Sequence, residues 1–159
     1  MRKEKIMNLS KKSNEKLSNP SFTLKAIFWA LVVVFVFILG YFVIPAFRTR
    51  EFFRFVSAFG VIFFLLGIAL IFFTIREKIK GLLKKFLILT GASAAGSLVS
   101  VFLHNAIYAL FIVLFGADFW ERTGLGDEPF FFILALIICP IAFLVGVIGS
   151  IVLFIKKKN

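Results

Sequence analysis

The chain has 159 residues; 61% are hydrophobic and 18% aromatic, with 24 phenylalanines. A water-soluble domain of this size has too little interior to hide that much apolar surface, so hydrocarbon is the expected solvent. The net charge is +11, and the single cysteine, Cys139, excludes an internal disulfide.

Residues 1–21 are polar and charged with few apolar anchors, and are expected to form a basic cytoplasmic tail. Asn19-Pro20-Ser21 reads as a turn and helix cap. Four uncharged runs follow, Ala26–Phe47, Phe55–Ile75, Phe86–Ala117 and Pro129–Ile155, of 22, 21, 32 and 27 residues. A helix needs about 20 apolar residues to cross a hydrocarbon core of about 30 Å, and all four runs reach that length. The sequence therefore predicts an all-α polytopic membrane protein, a four-transmembrane-helix bundle. The spans fall at about 22–44, 53–75, 86–115 and 129–155, followed by a basic end at 156–159. A basic leader reaching Lys25 and an apolar run longer than the usual ~7–15 residues argue against a cleaved secretory signal.

The first span is rich in Phe, Val and Ile, with Gly40 its one small residue besides alanine, and is expected to face lipid at the bundle's edge. Trp29 and Tyr41 lie near its two ends, as aromatic belts require, and Pro45 ends it. In the second span Ser57, Gly60 and Gly67 share a face expected to meet another helix. Arg76–Lys85 is basic, with Ile79, Leu82, Leu83 and Phe86 at helical spacing. It reads as a surface helix or as a continuation of the span before it. The third span carries Thr90-Gly-Ala-Ser-Ala-Ala-Gly-Ser97, then Ser100, His104, Asn105 and Tyr108. The connection after it holds Asp118, Glu121, Asp127 and Glu128, whose spacing fits no calcium loop and reads as solvated charge. The fourth span starts at Pro129 and has Pro140 inside it, which removes one donor and frees the carbonyl of Leu136.

The charge pattern sets an expected orientation. Fifteen of the 19 Lys and Arg lie in the tail, the second connection and the basic end; four lie in the other two connections. The positive-inside rule then puts both termini in the cytoplasm and the protein in the cell membrane. The basic flanks are expected to meet anionic headgroups, and nucleic acid is not an expected partner.

Ala92, Gly96 and Ser100 are spaced by four, as are Ala142, Gly146 and Ser150. Two such stripes let helix backbones approach closely in lipid. Matching their depths pairs 96 with 146, 92 with 150 and 100 with 142, and makes spans three and four the tight core hairpin. One turn further, His104 falls level with residue 138 and the Pro140 break. Ser100, His104, Asn105 and Tyr108 are thus the candidate intramembrane polar site, with the Leu136 carbonyl, Ser57 and the Tyr108 hydroxyl as possible partners for the histidine. His104 either hydrogen-bonds the hairpins together or binds a small ligand, a headgroup or a proton.

Other chemistries lack their residues. One His and one Cys make no metal cluster, no carboxylate lies inside a span, and no cofactor motif is present. The Gly91–Gly96 segment lacks the Lys-Ser/Thr of a phosphate loop, and no nucleophile-elbow turn accompanies His104. No internal repeat suggests an inverted-repeat transporter.

Three segments, Gly-Ala-Ser-Ala-Ala-Gly at 91–96, Leu103-His-Asn-Ala-Ile-Tyr108 and Asp127-Glu-Pro-Phe130, are similar to those of uncharacterised small four-span membrane proteins of prokaryotes. The likeness spans Leu83–Lys157 and implies the four-span fold without an activity. The functional expectation is a non-enzymatic accessory or scaffold protein that packs with other membrane subunits or with itself. The alternatives are an oligomeric small transporter or channel subunit, or a membrane-embedded enzyme using His104.

Overall fold

The computed structural model describes residues 20–45 and 49–156. Residues 1–19 of the predicted 1–21 tail and the last three residues of the basic end lie outside the described residues. Four helices are long and apolar enough to cross a membrane. Helix α1 is Phe22–Val43, α2 is Arg50–Arg76 and α3 is Gly81–Phe115. A short α4 (Phe119–Arg122) precedes the last span. That span comprises α5 (Pro129–Ile133), a π-helical turn (Leu134–Ile138) and α6 (Cys139–Lys156).

Each boundary has a local cause. The Ser21 hydroxyl accepts from the Leu24 N–H at 3.1 Å and caps α1. Ser21 also donates its backbone N–H (2.9 Å) and its hydroxyl to the Glu77 carboxylate, which ties the start of α1 to the end of α2. The expected helix over Arg76–Lys85 is instead a break. Lys78 takes φ +54°, the Ile79 N–H returns to the Thr74 carbonyl at 3.3 Å, and the Lys78 N–H to that of Ile75 at 3.0 Å. This is the two-bond left-handed C-cap that ends helices, with a lysine where glycine is usual. Ile79 is 2% exposed, so the apolar residue that follows the cap plugs the bundle. Of the residues at helical spacing, Leu82, Leu83 and Phe86 belong to α3, which starts at Gly81, and Ile79 belongs to the break.

Proline at 140 has no N–H and crowds the carbonyl four residues back. The chain answers with a widened turn just before it, in which the Cys139 N–H reaches the Leu134 carbonyl.

Packing centres on α3, which lies against α2 on one side and α6 on the other. It packs more extensively on the last span taken whole than on α2, in keeping with the expected core hairpin of spans three and four. The buried face of α2 is Val56, Phe63, Gly67, Leu70 and Thr74, and Gly67 meets Gly91 and Ala94 of α3. Of the face expected from sequence, only Gly67 makes close contact. A Cβ on Gly60 would meet nothing within 4 Å, and Ser57 is exposed and bonded to its own helix. Three phenylalanines from three helices fill the middle. Phe35 lies 4.5 Å from Phe143 and 6.1 Å from Phe63, and Phe63 lies 5.1 Å from Phe143, centroid to centroid. With Phe28 against Phe154 at 5.4 Å, these rings bring α1 onto α6. Most of α1 still faces outward, as its composition predicted.

The contact between α3 and α6 has a different register from the expected one. Gly146 sits against Thr90, where a Cβ would come 2.5 Å from Oγ1, and Gly149 sits against the Phe86 ring. Gly96 faces the Cys139 sulfur, 3.4 Å from where its Cβ would be. Relative to the pairing of 96 with 146, α6 is displaced by six residues, ~9 Å along the helix. Ala92 is exposed rather than facing Ser150. The reason is bulk: the aligned small stripes offered several registers, and the displaced one gives Thr90 and the Phe86 ring glycine surfaces to lie on.

Candidate functional site

Helix α3 has 35 residues and runs ~52 Å, well beyond a hydrocarbon core of ~30 Å. Lys84 and Lys85 mark one end of its uncharged stretch. About 20 residues further, one core thickness, come His104 and Asn105. The candidate polar residues therefore lie about one core thickness from the lysines, and the excess length is met by tilt or by the last turns of the helix standing beyond the core.

There His104 meets the start of the last span. Its Nδ1 is 3.1 Å from the Glu128 carbonyl oxygen and 3.3 Å from Glu128 Oε2; its Nε2 is 3.7 Å from Asp127 Oδ2. A ring with its hydrogen on Nδ1 donates to Glu128 alone, whereas a doubly protonated ring donates toward both acids. Glu128 is buried, with its side chain 7% exposed, while Asp127 is half exposed. The Glu128 carboxylate also accepts from the N–H groups of Phe130 (2.8 Å) and Phe131 (3.0 Å). It thus caps the helix that Pro129 opens, where the N-terminal dipole favours an anion. Asp127 accepts from the Glu128 N–H at 2.7 Å and holds the turn.

Glu128 corrects the sequence reading, which took all four acids in this connection for solvated charge; Asp118, Glu121 and Asp127 are exposed. Three expected partners of His104 are also replaced: its ring nitrogens meet Glu128 and Asp127, not Leu136, Ser57 or the Tyr108 hydroxyl. The signal available in the sequence was an acid directly before a helix-opening proline, joined to the one histidine of the chain.

The other candidates are dispersed by the fold. Asn105 is exposed and donates to the Val101 carbonyl of its own helix at 2.8 Å. Ser100 is buried. Tyr108 stacks on Trp120, 5.8 Å between centroids and 7° between planes, and its carbonyl accepts from the Trp120 indole N–H at 3.2 Å. Trp120, buried and absent from the sequence-based site, folds α4 back onto the C-terminal end of α3. Phe111, Phe115 and Phe119 complete this aromatic hairpin. Arg122 closes its tip, with Nε 3.1 Å from Asp118 and Nη2 donating to the Phe115 carbonyl at 2.8 Å.

A groove of about 170 Å³ opens beside His104, lined by Val101, His104, Asn105, Phe132, Ala135 and Leu136. It has room for a small group, but its polar lining is the histidine edge and one amide. Among the described residues no cluster of three or more His, Cys, Asp or Glu could hold a metal ion. Comparisons with family models, with curated proteins and with solved structures found no match for this chain.

Proposed function

We propose that this chain is a non-enzymatic scaffold or accessory protein of the cell membrane, with both termini in the cytoplasm, that associates with other membrane subunits or with itself. The observation that carries the reading is how the polar side chains of the spans are used. His104 is spent on joining α3 to the acids that open the last span. Ser57, Thr74, Thr90, Ser93, Ser97 and Asn105 each donate to the carbonyl four residues back in their own helix. Groups satisfied within their own helix leave little for catalysis or a permeation path. What remains presented is apolar: Leu110, Val113, Leu114 and Phe115 are all more than half exposed at the C-terminal end of α3. Exposed apolar surface of that kind suits a protein neighbour at the membrane rim.

Affinity purification of the full chain from native membranes, with mass spectrometry of what accompanies it, tests the association. Substituting Val113 and Leu114 by serine should release the companion subunit. A chain that is monomeric and companionless in its native membrane, or one that conducts a solute in liposomes, defeats the proposal. Reporter fusions at the two ends test the orientation, since a signal from the outer side at either terminus contradicts the charge argument.

A further inference from the structure

We propose that the groove between the first turn of α3 and the last turn of α6 is a site for one anionic phospholipid. The groove measures about 330 Å³ and is lined by Lys80, Leu82, Leu83, Leu153 and Lys156. One lysine comes from each helix end, and the three leucines form the wall between them. The ion pairs among the described residues use neither lysine, so both ammonium groups are available to an anion. Lys80 precedes α3 without a side-chain cap, so no side chain takes up the first backbone donors of that helix.

The lining has two chemistries in the order a lipid presents them. The lysines stand at the helix ends. The leucines lie between them and the body of the bundle, and Leu82 is 60% exposed along that wall. A phosphodiester held between the ammonium groups lets its acyl chains run down the leucines. A free phosphate would use the lysines and leave the leucines wet. A nucleotide would find no aromatic ring among the lining residues to stack on. This site lies at the opposite end of the bundle from His104 and stands independently of the scaffold reading. It is also narrower than the general attraction of basic flanks to an anionic surface, because it names two lysines out of many.

The test uses the full chain in detergent micelles and native mass spectrometry, titrated with phosphatidylglycerol, with phosphatidylcholine and with inorganic phosphate. One phosphatidylglycerol per chain is expected to bind well ahead of phosphatidylcholine. K80Q/K156Q should weaken it by about thirtyfold, two basic contacts' worth. K25Q/K85Q removes the same charge outside the groove and should change binding far less. L82N should weaken the lipid while leaving phosphate binding as it was. All these residues are exposed, and thermal melting confirms that each variant folds. Equal losses in the two lysine pairs would show diffuse attraction and overturn the site. Equal binding of phosphatidylcholine, or displacement by inorganic phosphate at matching concentration, would overturn its assignment to an anionic lipid.

Discussion

Gly67 and Gly91 meet backbone to backbone: a Cβ on either would lie 2.7 Å from the other's carbonyl oxygen. The contact is reciprocal and sits at the centre of the packing between α2 and α3. In lipid, where burying apolar surface gives no advantage between helices, such close approach is a main source of attraction.

Alanine at either position should therefore drive the two helices apart. Gly67→Ala and Gly91→Ala are each expected to cost about 1–3 kcal/mol, the usual cost of overpacking. Gly40→Ala and Gly60→Ala place a Cβ where nothing lies within 4 Å and should be neutral or slightly stabilising. Thermal unfolding in detergent compares the four. Equal losses in all of them would mean that helix propensity, not contact, is being measured.

The register of α3 on α6 is open to a covalent check. A cysteine at Gly96 should form an intramolecular disulfide with the native Cys139 under mild oxidation, since its Cβ would be 3.4 Å from that sulfur. Cysteines at Gly96 and Gly146, with Cys139→Ala, should not join. Peptide mapping reads both, and the reverse pattern would restore the register in which the small stripes align.

The join between His104 and Glu128 should be worth more than the contact to Asp127. His104→Ala is expected to cost about 1.5–3 kcal/mol, because it leaves a buried carboxylate without its ring donor. Asp127→Asn, at a half-exposed group, should cost under about 1 kcal/mol. A double-mutant cycle of His104→Ala with Glu128→Gln should show coupling. Strict additivity would mean the two side chains act separately.

Lys78 carries a left-handed backbone that suits glycine better. Lys78→Gly should stabilise the protein by about 0.5–1 kcal/mol by relieving the Cβ conflict while keeping the cap. A loss of stability would show that the lysine side chain contributes more there than its backbone costs.

What the sequence determined by itself was the number, length and approximate limits of the spans. Hydrocarbon thickness is matched by a run of residues, and a run is a local, additive property. It also exposed Ser21 as a helix cap and the outward character of α1, both set by residues next to each other in the chain. The register, the break at 77–80 and the partner of His104 depended on the tertiary structure. Stripes spaced by four fit together at every shift of about one turn, so their spacing leaves the register open. The fit of Thr90 and the Phe86 ring against Gly146 and Gly149 selects one. That displacement brings Glu128, rather than Leu136 or Ser57, level with the histidine. A carboxylate that looked solvated in the chain is thereby buried, where a helix terminus and an imidazole reach it together.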